Sequence, residues 1–312
     1  MYSPKITIAT RESRLALWQA EHIRHRITEL YPDAAVELLG MTTTGDRILD
    51  KSLAAVGGKG LFVKELEIAM QEGRAHLAVH SLKDVPMELP VGFSLFVAGP
   101  REDPRDAWVS PHFGHLEDLP SDAIVGTSSL RRACQLRARY PHLRIEPLRG
   151  NLDTRLRKLD AGEYHGIVLA AAGLRRLGLG ERIRALMSIE ESLPAVGQGA
   201  LGLEFPENHP HMAEWLAPLR DAGAEACVRA ERALSRRLAG SCDVPLGAHA
   251  VLEASKLTLQ AFVGSPEGDR ILKAQGEGSQ EDPEALGHAV SEQLLVQGAA
   301  DILDRCRNSR AE

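Results

Sequence analysis

Short apolar runs alternate with longer stretches of helical periodicity, and the alternation runs twice along the chain, on either side of a polar, proline-containing segment. That order favours a mainly parallel sheet with helices on both faces, built twice. In the first unit Lys5–Ala9 reads as a strand. A helix follows from about Ser13, with Leu15, Trp18, Ile23, Ile27 and Leu30 near helical spacing. Val36–Gly40, Leu77–His80 and Phe93–Ala98 are further strands, with a helix around Leu61–Gln71. Thr42–Gly60, rich in Thr, Gly and Asp, reads as a loop or lid. Gly99–Arg105 is the polar boundary. Beyond it come strands Ile124–Gly126, Arg144–Pro147 and Gly166–Ala170, with helices Ser129–Arg139, Leu152–Ala161 and Leu174–Arg184. Pro194–Phe205 reads as a second crossing back to the first unit, and two crossings make a hinge with a ligand between the lobes. The last hundred residues differ: a helix Ala224–Ala239, a loop Gly240–Pro245, strands Ala248–Leu252, Leu257–Val263 and Arg270–Ala274, and a closing helix Pro283–Arg305 predict a small α+β domain.

At 312 residues the chain exceeds one ordinary core, and 44% hydrophobic with 26% charged residues is the make-up of a folded globular protein. Met1–Ala9 has no basic, then apolar, secretory pattern, and no apolar run reaches the roughly 18 residues that span a bilayer. Cys134, Cys227, Cys242 and Cys306 form no Cys-x-x-Cys pair, so reduced thiols in a cytoplasmic setting and no metal are expected. A net charge of −6 argues against a general nucleic-acid binder. It hides an imbalance: Thr127–Arg184 holds 13 basic against 5 acidic residues, a local +8, leaving −14 elsewhere. Such asymmetry marks an anion-binding region, although Arg137, Arg139, Arg157 and Lys158 read as solvated helix faces.

Three of the cysteines continue the apolar stripe of a helix and read as core fillers. Cys242 stands apart, on a loop beside Gly240 and Ser241, as either an ordinary loop thiol or a site of covalent chemistry. A helix C-terminus raises a thiol pKa, so an activated nucleophile is a poorer reading than a stable attachment. Thr10–Ser13 and Thr127–Arg132 sit at strand-to-helix turns, where free N–H groups, hydroxyls and paired arginines suit carboxylates. Arg149-Gly150-Asn151 with Arg155, and Arg175-Arg176, add basic turns in the same unit. Converging arginines repel unless a polyanion joins them, and neither a P-loop nor Gly-x-Gly-x-x-Gly follows the first strand, so several carboxylates suit them better than phosphate. His80–Pro86 ends a strand where open α/β sheets bind ligands; Asp84 there is a general acid or base, or a simple turn residue, and Lys83 and Ser81 are anion donors.

Taken together these blocks resemble the porphobilinogen deaminase (hydroxymethylbilane synthase) family. They are Ile8–Arg11 with Leu15–Ala20, Val56–Glu67, Ala78–Pro86, Arg101–Ala107, Val125–Arg132, Leu148–Asn151 with Thr154–Leu156, and Leu193–Ala200. One departure is Ser241, where the family often has Gly before the cysteine. The resemblance implies an α/β fold of two hinged lobes like those of periplasmic binding proteins, plus a smaller α+β C-terminal domain that carries the cofactor cysteine. Their expected spans are residues 1–99 with 199–219, 104–195, and 222–312. It implies a dipyrromethane cofactor thioether-linked to Cys242, and stepwise condensation of four porphobilinogen molecules with loss of ammonia. Hydrolysis then releases linear hydroxymethylbilane. Asp84 is then the catalytic group, acting on the pyrrole N–H groups and the departing amine. Lys83, Asp84, Ser129, Arg131, Arg132, Arg155, Ser81, Thr127 and Ser128 are implied as cofactor contacts. Arg11, Ser13, Gln19, Arg149, Asn151, Arg176, Gln198, Lys59 and Phe62 are implied as substrate contacts, the last two in the lid and its base. A monomer acting on a small molecule, without nucleic acid or membrane, is expected.

Two other classes compete. A two-lobed anion-binding protein would use the hinged lobes but leaves the third domain and Cys242 without a role. A cysteine hydrolase needs a histidine base, and His80 and His249 are candidates by type only.

Overall fold

Ile6 and Ile8 are completely buried, as are their neighbours Ala9 and Thr10, which places the first strand inside its sheet. The structure, a computed structural model, describes residues 5–47, 60–238 and 244–308. The first lobe comprises β1 (Lys5–Arg11), α1 (Arg14–Leu30), β2 (Ala35–Met41), the short α2 (Thr44–Arg47), α3 (Lys64–Gln71), β3 (Leu77–Ser81) and β4 (Phe93–Ala98). The second comprises β5 (Asp106–Val109), β6 (Ile124–Gly126), α4 (Leu130–Arg139), β7 (Arg144–Glu146), α5 (Leu152–Asp160), β8 (Gly166–Ala170), α6 (Ala171–Arg176) and β9 (Ala185–Leu186). The chain then returns with β10 (Leu201–Pro206) and α7 (Met212–Leu216). The last part is α8 (Ala222–Arg237), β11 (Leu246–Glu253), β12 (Lys256–Gly264), β13 (Ile271–Ser279), α9 (Pro283–Val296) and α10 (Ala299–Asn308).

The two large sheets have matching plans, β2-β1-β3-β10-β4 and β7-β6-β8-β5-β9. In each, four strands run one way and the fourth in order is reversed: β10 is antiparallel to β3 and β4, and β5 is antiparallel to β8 and β9. Each reversed strand is the first one reached after a crossing, so each crossing delivers the chain directly into the interior of the receiving sheet. The second crossing was expected. Strand β5 was not, because a buried aspartate heads a run of only four residues and the segment reads as a polar linker.

Close packing of the crossings explains the glycines of Val196-Gly197-Gln198-Gly199. Gly199 has φ +91°, and a Cβ there would stand 2.2 Å from the Glu102 carbonyl oxygen of the other crossing. Gly197, at φ +69°, would put a Cβ 2.4 Å from the Leu82 side chain. Only glycine fits both the backbone and the space.

Helix starts are set locally. Ser13, Ser129, Asn151, Asp221 and Asp282 each cap a helix by accepting the N–H three residues on. Three sequence expectations change. Trp18 and Leu30 are partly exposed, and the buried stripe of α1 is Ala16, Gln19, Ala20, Ile23 and Ile27. The helix expected over Leu174–Arg184 is instead α6, a single turn at Gly180–Arg182 and β9, with Gly178 at φ +69° after the helix. The closing helix is two, broken at Gly298, whose φ of +93° no helix continues. Of the expected lid, Thr44–Arg47 is a short helix and residues 48–59 lie outside those described.

The third domain is an antiparallel meander, β11-β12-β13. Leu257, Leu259, Ala261 and Val263 alternate along one face of β12, buried in one cluster with Leu234, Leu286, Val290 and Ile302 of the helices. Cys134, Cys227 and Cys306 are buried, as the helical stripes predicted.

Candidate functional site

Strand β3 is buried from Leu77 to His80 and runs into a single 3-10 turn, Leu82–Asp84. Leu82 and Val85 are buried, Leu82 N–H donates to Ala200 O at 3.1 Å, and Val85 N–H donates to Leu82 O at 3.1 Å. These anchors fix the turn, leaving Lys83 and Asp84 between them on the wall of a cleft of about 660 Å³. Both lobes line the cleft, and so do Val244 and Leu246 of the third domain. Cys242, two residues before Val244, and Lys59 lie outside the described residues.

The first lobe contributes Arg11, Ser13, Phe62 and Ser81. Arg11 is committed to Asp46, with Nε donating to Oδ2 at 3.0 Å, and its guanidinium lies 4.2 Å from the centre of the Phe62 ring. Burial would raise the Asp46 pKa, but the Arg11 hydrogen bonds and charge outweigh it and hold that carboxyl below its usual range. Buried Gln19 donates to Ser81 Oγ at 2.7 Å and lines a side pocket shared with Arg11, Ser13, Phe62, Ser81 and Asp84. Asp84 makes no hydrogen bond or ion pair with a described side chain.

The second lobe contributes Ser128, Ser129, Arg131, Arg132, Arg149, Asn151, Arg155 and Arg176. Arg131 and Arg132 share an aspartate that sequence reasoning passed over. Asp106 is fully buried and takes Arg131 at 2.9 and 3.1 Å, Arg132 at 2.7 and 3.0 Å, Ser192 at 2.6 Å and Gln198 at 2.9 Å. Burial opposes ionisation, yet the two guanidiniums hold this carboxyl far below the carboxylate range. The trio carries one net positive charge, with both arginines rigidly placed. The only sequence signal was Asp106 inside the block Arg101–Ala107, at the end of a presumed linker.

The run of three hydroxyls is largely structural. Ser128 Oγ donates to Leu148 O at 2.9 Å and accepts Leu148 N–H at 3.0 Å, pinning the ends of β6 and β7 together. Thr127 is buried behind the cleft, accepting Ser129 N–H at 3.2 Å. Ser129 caps α4, and Asn151 caps α5 by accepting Thr154 N–H at 2.9 Å. Gln198, on the second crossing, bridges the parts: its amide donates to Pro104 O at 2.6 Å and to Asp106, and its Oε1 accepts Lys83 at 3.4 Å.

Three other cations are held below their usual pKa by burial. Burial, with Arg132 adding repulsion, lowers the Lys83 pKa to about 8 against the pull of Asp84 and Asp106. Burial and then Arg132 lower Arg155 to about 10, and burial lowers Arg176 to about 10. Arg155 Nε donates to Gly150 O at 2.9 Å and Arg176 Nη2 to Gly199 O at 2.6 Å, which orients both without neutralising them. Desolvated cations in an open cleft call for an anionic occupant with several carboxylates. Among the described residues there is no group of His, Cys, Asp and Glu suited to a metal, and no helix long and apolar enough to cross a membrane.

Comparison with known proteins gives one answer. Residues 6–214 match the family model described as porphobilinogen deaminase, dipyrromethane cofactor binding domain, and residues 225–296 match its C-terminal domain. The porphobilinogen deaminase of Thiobacillus denitrificans is 61% identical over 299 residues, covering 96% of this chain and 98% of that one. That of Nitrosomonas europaea is 58% identical, covering 97% and 99%, and that of Burkholderia thailandensis is 59% identical, covering 96% and 92%. Among solved structures, the methionine binding protein MetQ is similar at 13% identity and TM-score 0.43, covering 68% of this chain and 89% of that one.

Proposed function

The chain belongs to the porphobilinogen deaminase family, and from that membership we propose how its own residues divide the work of the reaction. As a hydroxymethylbilane synthase it is a transferase of tetrapyrrole biosynthesis, joining porphobilinogen units with loss of ammonia. The proposed anchor is Cys242, holding a dipyrromethane through a thioether. When bound, that group supplies the free pyrrole carbon to which the first substrate is joined. The cleft fits such a group: several arginines line it, Arg155 and Arg176 among them with their pKa lowered by burial, and that lining, which matches a ligand bearing several carboxylates, carries the reading.

Arg131 and Arg132, held rigid by Asp106, with Lys83, Arg155, Ser129 and Ser81, would grip the carboxylates of the cofactor and chain. Ser128 and Thr127 support that wall through the backbone. Arg11, Ser13, Gln19, Arg149, Asn151, Arg176 and Gln198 would hold the incoming substrate, with Phe62 and Lys59 at the lid. The Asp84 carboxylate, with no cation committed to it, would accept from pyrrole N–H groups and face the positive charge left on the substrate methylene as ammonia departs. A base is also needed for the proton lost from the ring carbon when the new carbon–carbon bond forms, and Asp84 suits that step. We further propose a cytoplasmic monomer, its lobes spanning 1–99 with 199–219 and 104–195, and residues 222–312 carrying the cofactor.

Intact mass of the purified protein, with and without Cys242→Ser, tests the anchor. An addition of two pyrrole units that vanishes in the variant is expected. Unmodified wild-type protein with full activity would overturn the reading. Asp84→Ala should keep porphobilinogen binding while ammonia release nearly disappears; normal turnover would refute its role.

A further inference from the structure

Directly after Asp84 the chain runs through Val85, Pro86 and Met87, and the carbonyl groups of all three converge on one side chain from another domain. Arg232 of α8 donates through Nη2 to Pro86 O at 2.6 Å and to Met87 O at 2.9 Å, and through Nη1 to Val85 O at 3.4 Å. Arg232 is only 5% exposed, so these hydrogen bonds are made out of solvent. Its helix neighbour Glu231 is fully buried. It takes Arg101 of the first crossing at 2.5 and 3.2 Å, the N–H of Gly197 in the second crossing at 2.7 Å, and the N–H of Ala250 in β11 at 2.8 Å. Two consecutive residues of one helix thus fix the catalytic turn, both crossings and the third domain's sheet relative to one another.

We infer that Arg232 is a positioning residue for Asp84, setting where the carboxylate stands in the cleft by clamping the backbone that follows it. This rests on the reading of Asp84 given above. The turn has buried anchors at Leu82 and Val85, and beyond them the carbonyls of Pro86 and Met87 are held by Arg232. A guanidinium suits the task because its planar fork reaches several acceptors at once, which a lysine cannot do. Cys242 also follows the last residue of α8 by only five positions in the chain, so the clamp ties the proposed catalytic carboxylate to the helix next to the proposed anchor.

The test compares Arg232→Met, Asp84→Glu, Asp84→Asn and the Arg232→Met/Asp84→Glu double variant with wild type, each normalised to covalently bound pyrrole by intact mass. Arg232→Met is expected to lower kcat by about tenfold or more with KM for porphobilinogen within about twofold, as a displaced but present group does. Backbone amide exchange over residues 82–87 should rise. In the Asp84→Glu background, where the carboxylate is already displaced, the same substitution should cost distinctly less. An unchanged kcat, a rise in KM alone, a wild-type rate for Asp84→Glu, or a fully multiplicative double variant would each overturn the proposal. Full turnover by Asp84→Asn would instead remove the reading of Asp84 itself, and the proposal with it. If Arg232→Met does not accumulate folded, Arg232→Lys is read the same way, with a smaller expected fall in kcat.

Discussion

At the scale of single residues, the most informative contrast is between arginines held by a carboxylate and a lysine whose charge is weakened by burial. Arg131 and Arg132 are locked on Asp106, and Arg11 on Asp46. Lys83, beside them, is held near the point where it loses its charge, because burial outweighs the attraction of Asp84 and Asp106. The sign follows directly. Lys83 is cationic below about 8 and neutral above it, so its grip on a carboxylate is present at lower pH and fades as pH rises through that value. As its partners are the carboxylates of the bound cofactor and chain, kcat is expected to fall between about pH 7 and 9 in the wild type. Lys83→Arg, whose guanidinium stays charged throughout, should flatten that fall; steady-state kinetics across the range measure it. Apart from Asp46 and Asp106, these residues were legible as candidates in the sequence. The partner was not, because nothing local distinguishes an aspartate in a linker from one that six donors will surround.

Among the elements, the crossings decide the shape of the site. Gln198 faces Asp106 and Lys83 only because the glycines on either side let the second crossing lie against the first. Gly199→Ala combines a left-handed backbone, φ +91°, with a Cβ 2.2 Å from a carbonyl oxygen that cannot rotate away. A loss of about 2–4 kcal/mol is expected from strain and overpacking together. Urea denaturation followed by far-UV circular dichroism measures it, and a variant as stable as wild type would show that the crossings yield easily. The motif was readable as a crossing, but its reason was not, since the steric conflict involves residues about a hundred positions away.

For the whole molecule, the buried pair Arg101–Glu231 joins three parts of the chain at one point. Glu231 is held down to about 2: burial opposes its charge, and Arg101 and His249 outweigh the burial. Removing Arg101 leaves Glu231 buried and charged with only two backbone N–H groups and His249 beside it, a loss of the kind that costs roughly 3–5 kcal/mol. Arg101→Met is accordingly expected to lower the denaturation midpoint sharply. The depressed pKa also predicts acid sensitivity. This carboxylate's contribution is complete above about pH 4.5, and is lost as pH falls towards 2. Thermal unfolding of wild type and Glu231→Gln over pH 3–6 measures that dependence, which the variant should lack at this site.

The sequence alone determined the double strand–helix alternation, the two crossings, the third domain's three strands, the hydroxyl caps at the Ser13 and Ser129 turns and the core positions of three cysteines. These follow from periodicity, turn chemistry and capping, which act over a few residues. The family resemblance supplied the expected roles of Asp84, Cys242 and the arginines. Only the tertiary structure decided that each lobe reverses one strand, that Asp106 organises Arg131 and Arg132, that the three hydroxyls mostly brace a turn, and that Arg232 reaches the backbone after Asp84. Those facts depend on contacts between residues distant in the chain, where burial turns an ordinary charge into one that must find a partner, and no local pattern names that partner.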